Sequence, residues 1–177
     1  MAIKHKYMAK NHIESEAFQI LRLLIENKKE KYSIRRLSKA RKINYKSAYN
    51  AIMNLKEEGI VDIEKIGNMS ICSFNGNFSP LVFAVEYEIR NDALKRKKIL
   101  EIYTRLNKLS FSFVALISEN DKIIIISDRE AEVKKVLSNC DFAVLSPDDF
   151  SKNKETTVKK AILFGIEEFY RLMKNDR

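Results

Sequence analysis

From Lys31 to Lys56 the chain carries eight basic residues (Lys31, Arg35, Arg36, Lys39, Arg41, Lys42, Lys46 and Lys56) and no Asp or Glu. Within this stretch the apolar residues recur at helical spacing. Ser33 is placed to cap one helix, in which Ile34, Leu37 and Ala40 turn inward while Arg35, Arg36 and Lys39 turn out. Ile43 sits in a turn, and Asn44 can cap a second helix that runs to about Glu58. Along that second helix Ala48, Ile52 and Leu55 form a buried stripe, and Tyr45, Lys46, Tyr49, Asn50 and Asn54 lie off it. Two short helices, each apolar on one face and basic on the other, suit a fold that presents cations to a polyanion.

The flanking residues extend the pattern. A helix is expected over 13–27, with Phe18, Leu21, Leu24 and Ile25 at helical spacing and Glu14 and Glu16 in the first turn, followed by a lysine-rich loop. Residues 1–12 read as a flexible basic tail without the apolar segment of a signal peptide. Gly59 is placed to end the second helix of the basic pair in a left-handed conformation. Two strands, Ile60 to Ile66 and Ser70 to Phe74, are expected around the turn Gly67-Asn68. Asn75-Gly76-Asn77 is the best boundary between domains. The net charge is +7 up to Phe78 (15 Lys/Arg against 8 Asp/Glu) and only +2 beyond it (18 against 16), so the attraction for an anionic partner belongs to the first half.

The second half is mixed. Ser79-Pro80 opens a linking helical segment over 79–109, as one long helix or two with a bend after Asn91-Asp92. Strands are expected at Phe111 to Ile117, Lys122 to Ser127 and Phe142 to Leu145. The continuously apolar Ile123 to Ile126 suits a strand covered on both faces. Asp128 is placed to cap a helix through Asn139, Ser146-Pro147-Asp148-Asp149 to start another, and a terminal helix is expected from about Thr156 to Lys174. The expected class is α+β, in two domains: residues 13–78, and an α+β domain over 110–177 reached through the linking segment.

Chemistry is sparse. Cys72 and Cys140 lie far apart and the two histidines, His5 and His12, sit near the N-terminus, so no metal-ligand spacing exists. There is no phosphate-cradling glycine loop and no nucleophile elbow. No apolar run approaches the ~18 residues of a membrane span. The expectation is a cytoplasmic protein with reduced thiols. Few glycines and prolines with abundant Lys, Ile and Glu hint at a thermophile or an AT-rich genome.

Residues 34–65, IRRLSKARKINYKSAYNAIMNLKEEGIVDIEK, resemble the winged helix-turn-helix of archaeal and bacterial transcription regulators. The shared pattern is a Leu-Ser helix, a turn with a buried aliphatic, and a Tyr-rich helix ending in Leu-x-x-x-Gly-Ile-Val. Ala48 and Met53 fall where such families vary, so no subfamily is implied. The resemblance implies a winged helix of three helices and a β-hairpin that reads the major groove. Asn44, Tyr45, Lys46, Ser47, Tyr49, Asn50 and Asn54 would lie on the reading helix, Ser33, Arg35 and Arg36 on the helix before it, and Lys65 and Asn68 at the wing. More weakly, VLSPDDF and VKKAILFGIEEFYRLM, with FSFVALI and KIIIISD, resemble small archaeal nucleotidyltransferase-like domains. Active members follow the first strand with Gly-Ser and a carboxylate pair for Mg²⁺. Here Ser118-Glu119-Asn120 follows it, and Asp128 has Ile126 in place of a second acid. The resemblance therefore implies a degenerate, non-catalytic relative, with Asp121, Asp128, Asp148 and Asp149 as caps and turn residues.

The function expected is a sequence-specific transcription regulator on double-stranded DNA. It would be a homodimer with no catalytic residue, metal or cofactor, and its second domain would dimerise or sense a small-molecule or protein effector. RNA binding, a protein-docking winged helix, a nucleotidyltransferase-type enzyme with such a domain, and a toxin–antitoxin component are the alternatives.

Overall fold

The computed structural model describes residues 15–28, 30–153 and 159–174. Among them are eight helices and two sheets, an α+β architecture. By compactness the chain divides between Val85 and Glu86 into two units. The basic tail expected over 1–12 lies outside the described residues.

The first unit is built from α1 (Glu16–Glu26), β1 (Tyr32–Ser33), α2 (Ile34–Arg41), α3 (Tyr45–Glu57), β2 (Val61–Ile66) and β3 (Met69–Phe74). Ser15 caps α1 by accepting the Phe18 N–H at 3.2 Å. Its inward face, Phe18, Leu21, Leu24 and Ile25, is buried as the spacing requires, and Ile20 is buried with it. The core closes on Leu37 from α2 and on Ala48, Ile52 and Leu55 from α3, all at 1% exposure or less. Ala40 is exposed, contrary to the expected inward face, and Ser38 takes the buried position instead. The reason is that the Ser38 side chain closes the turn after α2.

Gly59 has φ +69 and ends α3 as expected. The hairpin turns at Gly67-Asn68, where Gly67 takes φ +58, and Ile66 pairs with Met69. Tyr32 and Ser33 form a strand that the sequence did not suggest. They pair with Cys72 and Ile71, giving a three-stranded antiparallel sheet of order β1-β3-β2. The polar Asn75–Asn77 segment is tied to this unit. Asn75 Nδ2 and Asn77 Nδ2 both donate to the Gly59 carbonyl, at 2.8 and 2.7 Å. The division of the chain lies downstream, inside α4 (Pro80–Leu94), whose start is capped by Ser79 Oγ accepting the Val82 N–H. The linking segment is two helices, α4 and α5 (Lys97–Leu106). They break at Lys95-Arg96 rather than after Asn91-Asp92, and Ile99 is the buried residue of the first α5 turn, with Leu100 exposed.

In the second unit a four-stranded sheet has the order β6-β5-β4-β7. β4 (Val114–Ser118) is antiparallel to β5 (Ile123–Ile126) and to β7 (Lys159–Phe164), and β6 (Phe142–Leu145) is parallel to β5. Three short helices accompany it: α6 (Glu130–Val136), α7 (Pro147–Asn153) and α8 (Ile166–Lys174). Asp128 is exposed and does not cap α6; Ser127 Oγ instead accepts the Arg129 N–H at 3.1 Å, and the helix stops at Val136, short of Asn139.

The expected terminal helix is the largest correction. The start of that range, Thr156 to Val158, lies outside the described residues. Lys159–Phe164 is a strand, and only Ile166–Lys174 is helical. Ile162, Ile166 and Phe169 happen to fit helical spacing, yet Ala161, Ile162 and Leu163 are all buried consecutively, as strand pairing with β4 demands. Gly165 separates the two elements at φ +69, a value a helix interior does not accept.

Candidate nucleic-acid interface

Three local devices fix α2 and α3, the helices that carry most of the candidate residues. Ser33 caps α2, its Oγ accepting the Arg36 N–H at 3.2 Å. Lys42 ends α2 in the left-handed region (φ 54, ψ 36), and the Ile43 N–H donates to the Ser38 carbonyl at 2.9 Å. Asn44 caps α3, its Oδ1 accepting the Lys46 N–H at 2.8 Å. Ser33 and Asn44 are thus occupied in holding helix starts, which limits what their acceptor oxygens can offer a ligand.

On α3 the buried Ala48, Ala51, Ile52 and Leu55 leave two stripes facing out. Tyr45 and Tyr49, one turn apart, are 54% and 44% exposed. Lys46, Asn50 and Asn54 form the neighbouring stripe and are exposed; Ser47 is half-buried at its edge. An exposed helix face with a cation, two carboxamides and two phenols can donate to and accept from base edges and phosphates.

Beside the start of α3 lies an open concavity of about 770 Å³. Ser33 lines it from the end of β1, Ile34, Arg35, Ser38 and Lys39 from α2, Tyr45 from α3, and Asn68, Met69 and Ser70 from the hairpin. Of the sequence-derived candidates, Ser33, Arg35, Tyr45 and Asn68 meet here; Lys46, Tyr49, Asn50 and Asn54 continue along α3 outside it, and Lys65 is exposed on β2. Lys39 belongs with them. It lies one turn after Arg35 on the same helix, and that i, i+4 spacing of cations was the signal for it. Among the described residues no carboxylate pairs with Arg35, Lys39 or Lys46.

Two other cations of the acid-free stretch are engaged within the unit. Arg36 donates to Glu30 Oε2 at 2.6 Å and to the Lys31 carbonyl at 3.2 Å, and its guanidinium lies 4.7 Å over the Tyr32 ring. Arg41 pairs with Glu26 at 3.6 Å. Burial, with Glu30 beside it, pushes the Tyr32 phenol up. The acids that quench these arginines lie just outside the stretch in sequence and next to it in space. Arg36 is therefore the weakest member of the candidate set.

The second unit holds a different polar cluster that sequence reasoning did not find. The Glu86 side chain is fully buried; its Oε1 accepts the Tyr170 hydroxyl and lies 2.5 Å from Lys159 Nζ. Burial first, then the Glu86 charge, push the Tyr170 phenol up. No sequence spacing announces this cluster, because its members are joined across more than seventy positions. Among the described residues no three His, Cys, Asp or Glu side chains gather as metal ligands, and no helix is long and apolar enough to cross a membrane. Comparison with known protein families, curated proteins and solved structures gave no significant match.

Proposed function

We propose that the chain is a sequence-specific regulator of transcription that binds double-stranded DNA through a winged helix-turn-helix formed by α1, β1, α2, α3 and the β2–β3 hairpin. The observation that carries the reading is the exposed Tyr45–Lys46–Tyr49–Asn50 end of α3 beside Arg35 and Lys39, two cations that pair with no carboxylate among the described residues. Element order supports it: a short strand before α2 pairs with the hairpin, so the hairpin stands next to the concavity that α2 and α3 share. In this reading α3 enters the major groove by its N-terminal half. Lys46 and Asn50 approach base edges, Arg35 and Lys39 hold phosphates, and Lys65 and Asn68 sit on the wing. The second unit would pair two copies of the chain in the cytoplasm or receive an effector. Two copies would read two half-sites of a symmetric operator.

Selection of the purified chain against a random duplex library tests this. Enrichment of a palindromic motif is the expected outcome. Binding that enriches no motif, or that prefers RNA of matched sequence, would remove the proposal.

A further inference from the structure

The hairpin ends in an apolar pair. Ile66 and Met69 are register partners that close the Gly67-Asn68 turn, so both side chains leave the same face of the ribbon at its tip. They are 39% and 57% exposed. Cations lie close by: Lys65 is next in the strand, on the other face of the ribbon, and Arg35 and Lys39 line the concavity that Met69 also lines. Cations that grip phosphates around an apolar tip are the means by which proteins pry open a base step from the minor groove. Glu64, exposed and on the same ribbon face as Ile66, is repelled by phosphates and confines entry to the tip.

We propose that Ile66 and Met69 form a wedge that enters the minor groove of duplex DNA and kinks it at a flexible pyrimidine–purine step. The inference rests on the DNA-binding reading above and adds the deformation of the ligand. Pyrimidine–purine steps unstack readily and stiff A-tracts resist, so the wedge would discriminate between sequences without touching base edges.

The test uses the full chain at low salt with two 30-bp duplexes of equal composition, one with central TA steps and one with an A-tract. Each carries an energy-transfer pair on its ends, and anisotropy reports binding separately from bending. Binding should raise transfer on the TA duplex, with affinity at least about fivefold above the A-tract duplex. Ile66→Ser with Met69→Ser should bind both duplexes equally and leave transfer unchanged, while Ile66→Leu with Met69→Leu should keep both the bend and the preference. Binding by the unaltered chain without a change in transfer, or undiminished bending by the serine variant, would overturn the wedge and leave DNA binding standing. Absence of binding to either duplex would overturn both.

Discussion

Ser38 Oγ donates to the Ile43 carbonyl at 2.7 Å, across the turn that joins α2 to α3. Together with the Ile43 N–H on the Ser38 carbonyl it makes a closed ring, and this ring sets where α3 starts relative to α2. Ser38 is 8% exposed, so its removal leaves the Ile43 carbonyl short of a partner where water reaches poorly. Ser38→Ala should cost about 1–2 kcal/mol in urea unfolding, and Ala40→Ser, at an exposed position on the same helix, within about 0.5 kcal/mol. Equal losses would deny the turn its special role.

In the proposed complex with DNA the cations of α2 would contribute unequally. Arg35→Ala with Lys39→Ala removes two charges that no carboxylate among the described residues pairs, and should lower the slope of log K against log salt by about 2. Arg36→Ala with Arg41→Ala removes the same formal charge but frees Glu30 and Glu26. Its slope should change by less, because ion-paired arginines already lack the counterions whose release drives binding. Identical slopes for the two variants, from anisotropy between 50 and 300 mM salt (concentrations of roughly the range in which such slopes are read), would refute the distinction.

Lys159 lies at the start of β7 and Glu86 in α4, and their contact is nearly sealed from solvent. Removing Lys159 leaves the buried Glu86 carboxylate without its counter-charge, held by the Tyr170 hydroxyl. Lys159→Met should therefore cost about 3–5 kcal/mol, whereas Glu86→Gln with Lys159→Met should recover most of that loss. Denaturant unfolding of the two variants compares them directly; a double variant no more stable than the single one would contradict the argument.

Burial pushes the Cys72 thiol up to about 11. In the unfolded chain the thiol ionises near its ordinary value of about 8.5. Between these values the unfolded state loses its proton first, so the contribution of Cys72 to stability is intact below the lower value and is lost as pH rises through the upper one. Cys72→Val should abolish this part of the alkaline decline, about 2 kcal/mol or less between pH 9 and 11. Parallel stability curves for both proteins over that interval would argue against it.

Gly165 and Gly67 both have positive φ, yet their surroundings differ. A Cβ at Gly165 would stand 2.7 Å from the Phe113 carbonyl oxygen and 3.0 Å from Val114 Cγ2, whereas one at Gly67 meets nothing within 4 Å. Gly67→Ala should cost about 1 kcal/mol from backbone conformation alone. Gly165→Ala should cost at least ~2 kcal/mol more, because β4 must move to admit the methyl group. Thermal unfolding of the pair measures the difference.

The elements that were legible in the sequence are those stabilised by neighbours in the chain. Ser33 and Asn44 cap the helices they precede, Gly59 and Gly67 turn where expected, and Phe142–Leu145 is a strand, because caps, left-handed stops and short apolar runs are local interactions. The exposed face of α3 follows from the spacing of Ala48, Ile52 and Leu55 alone. Other features needed the tertiary structure, since their energies come from partners distant in sequence. Tyr32–Ser33 is a strand only because β3 offers Ile71 and Cys72, and Lys159–Phe164 leaves the helical pattern only because β4 supplies a ladder. Glu86 is tolerable in the interior only because Lys159 and Tyr170 arrive there. The same holds at the candidate interface: the sequence has eight cations there, but folding set Glu30 against Arg36 and Glu26 against Arg41, leaving Arg35 and Lys39 beside the concavity with no acid partner among the described residues.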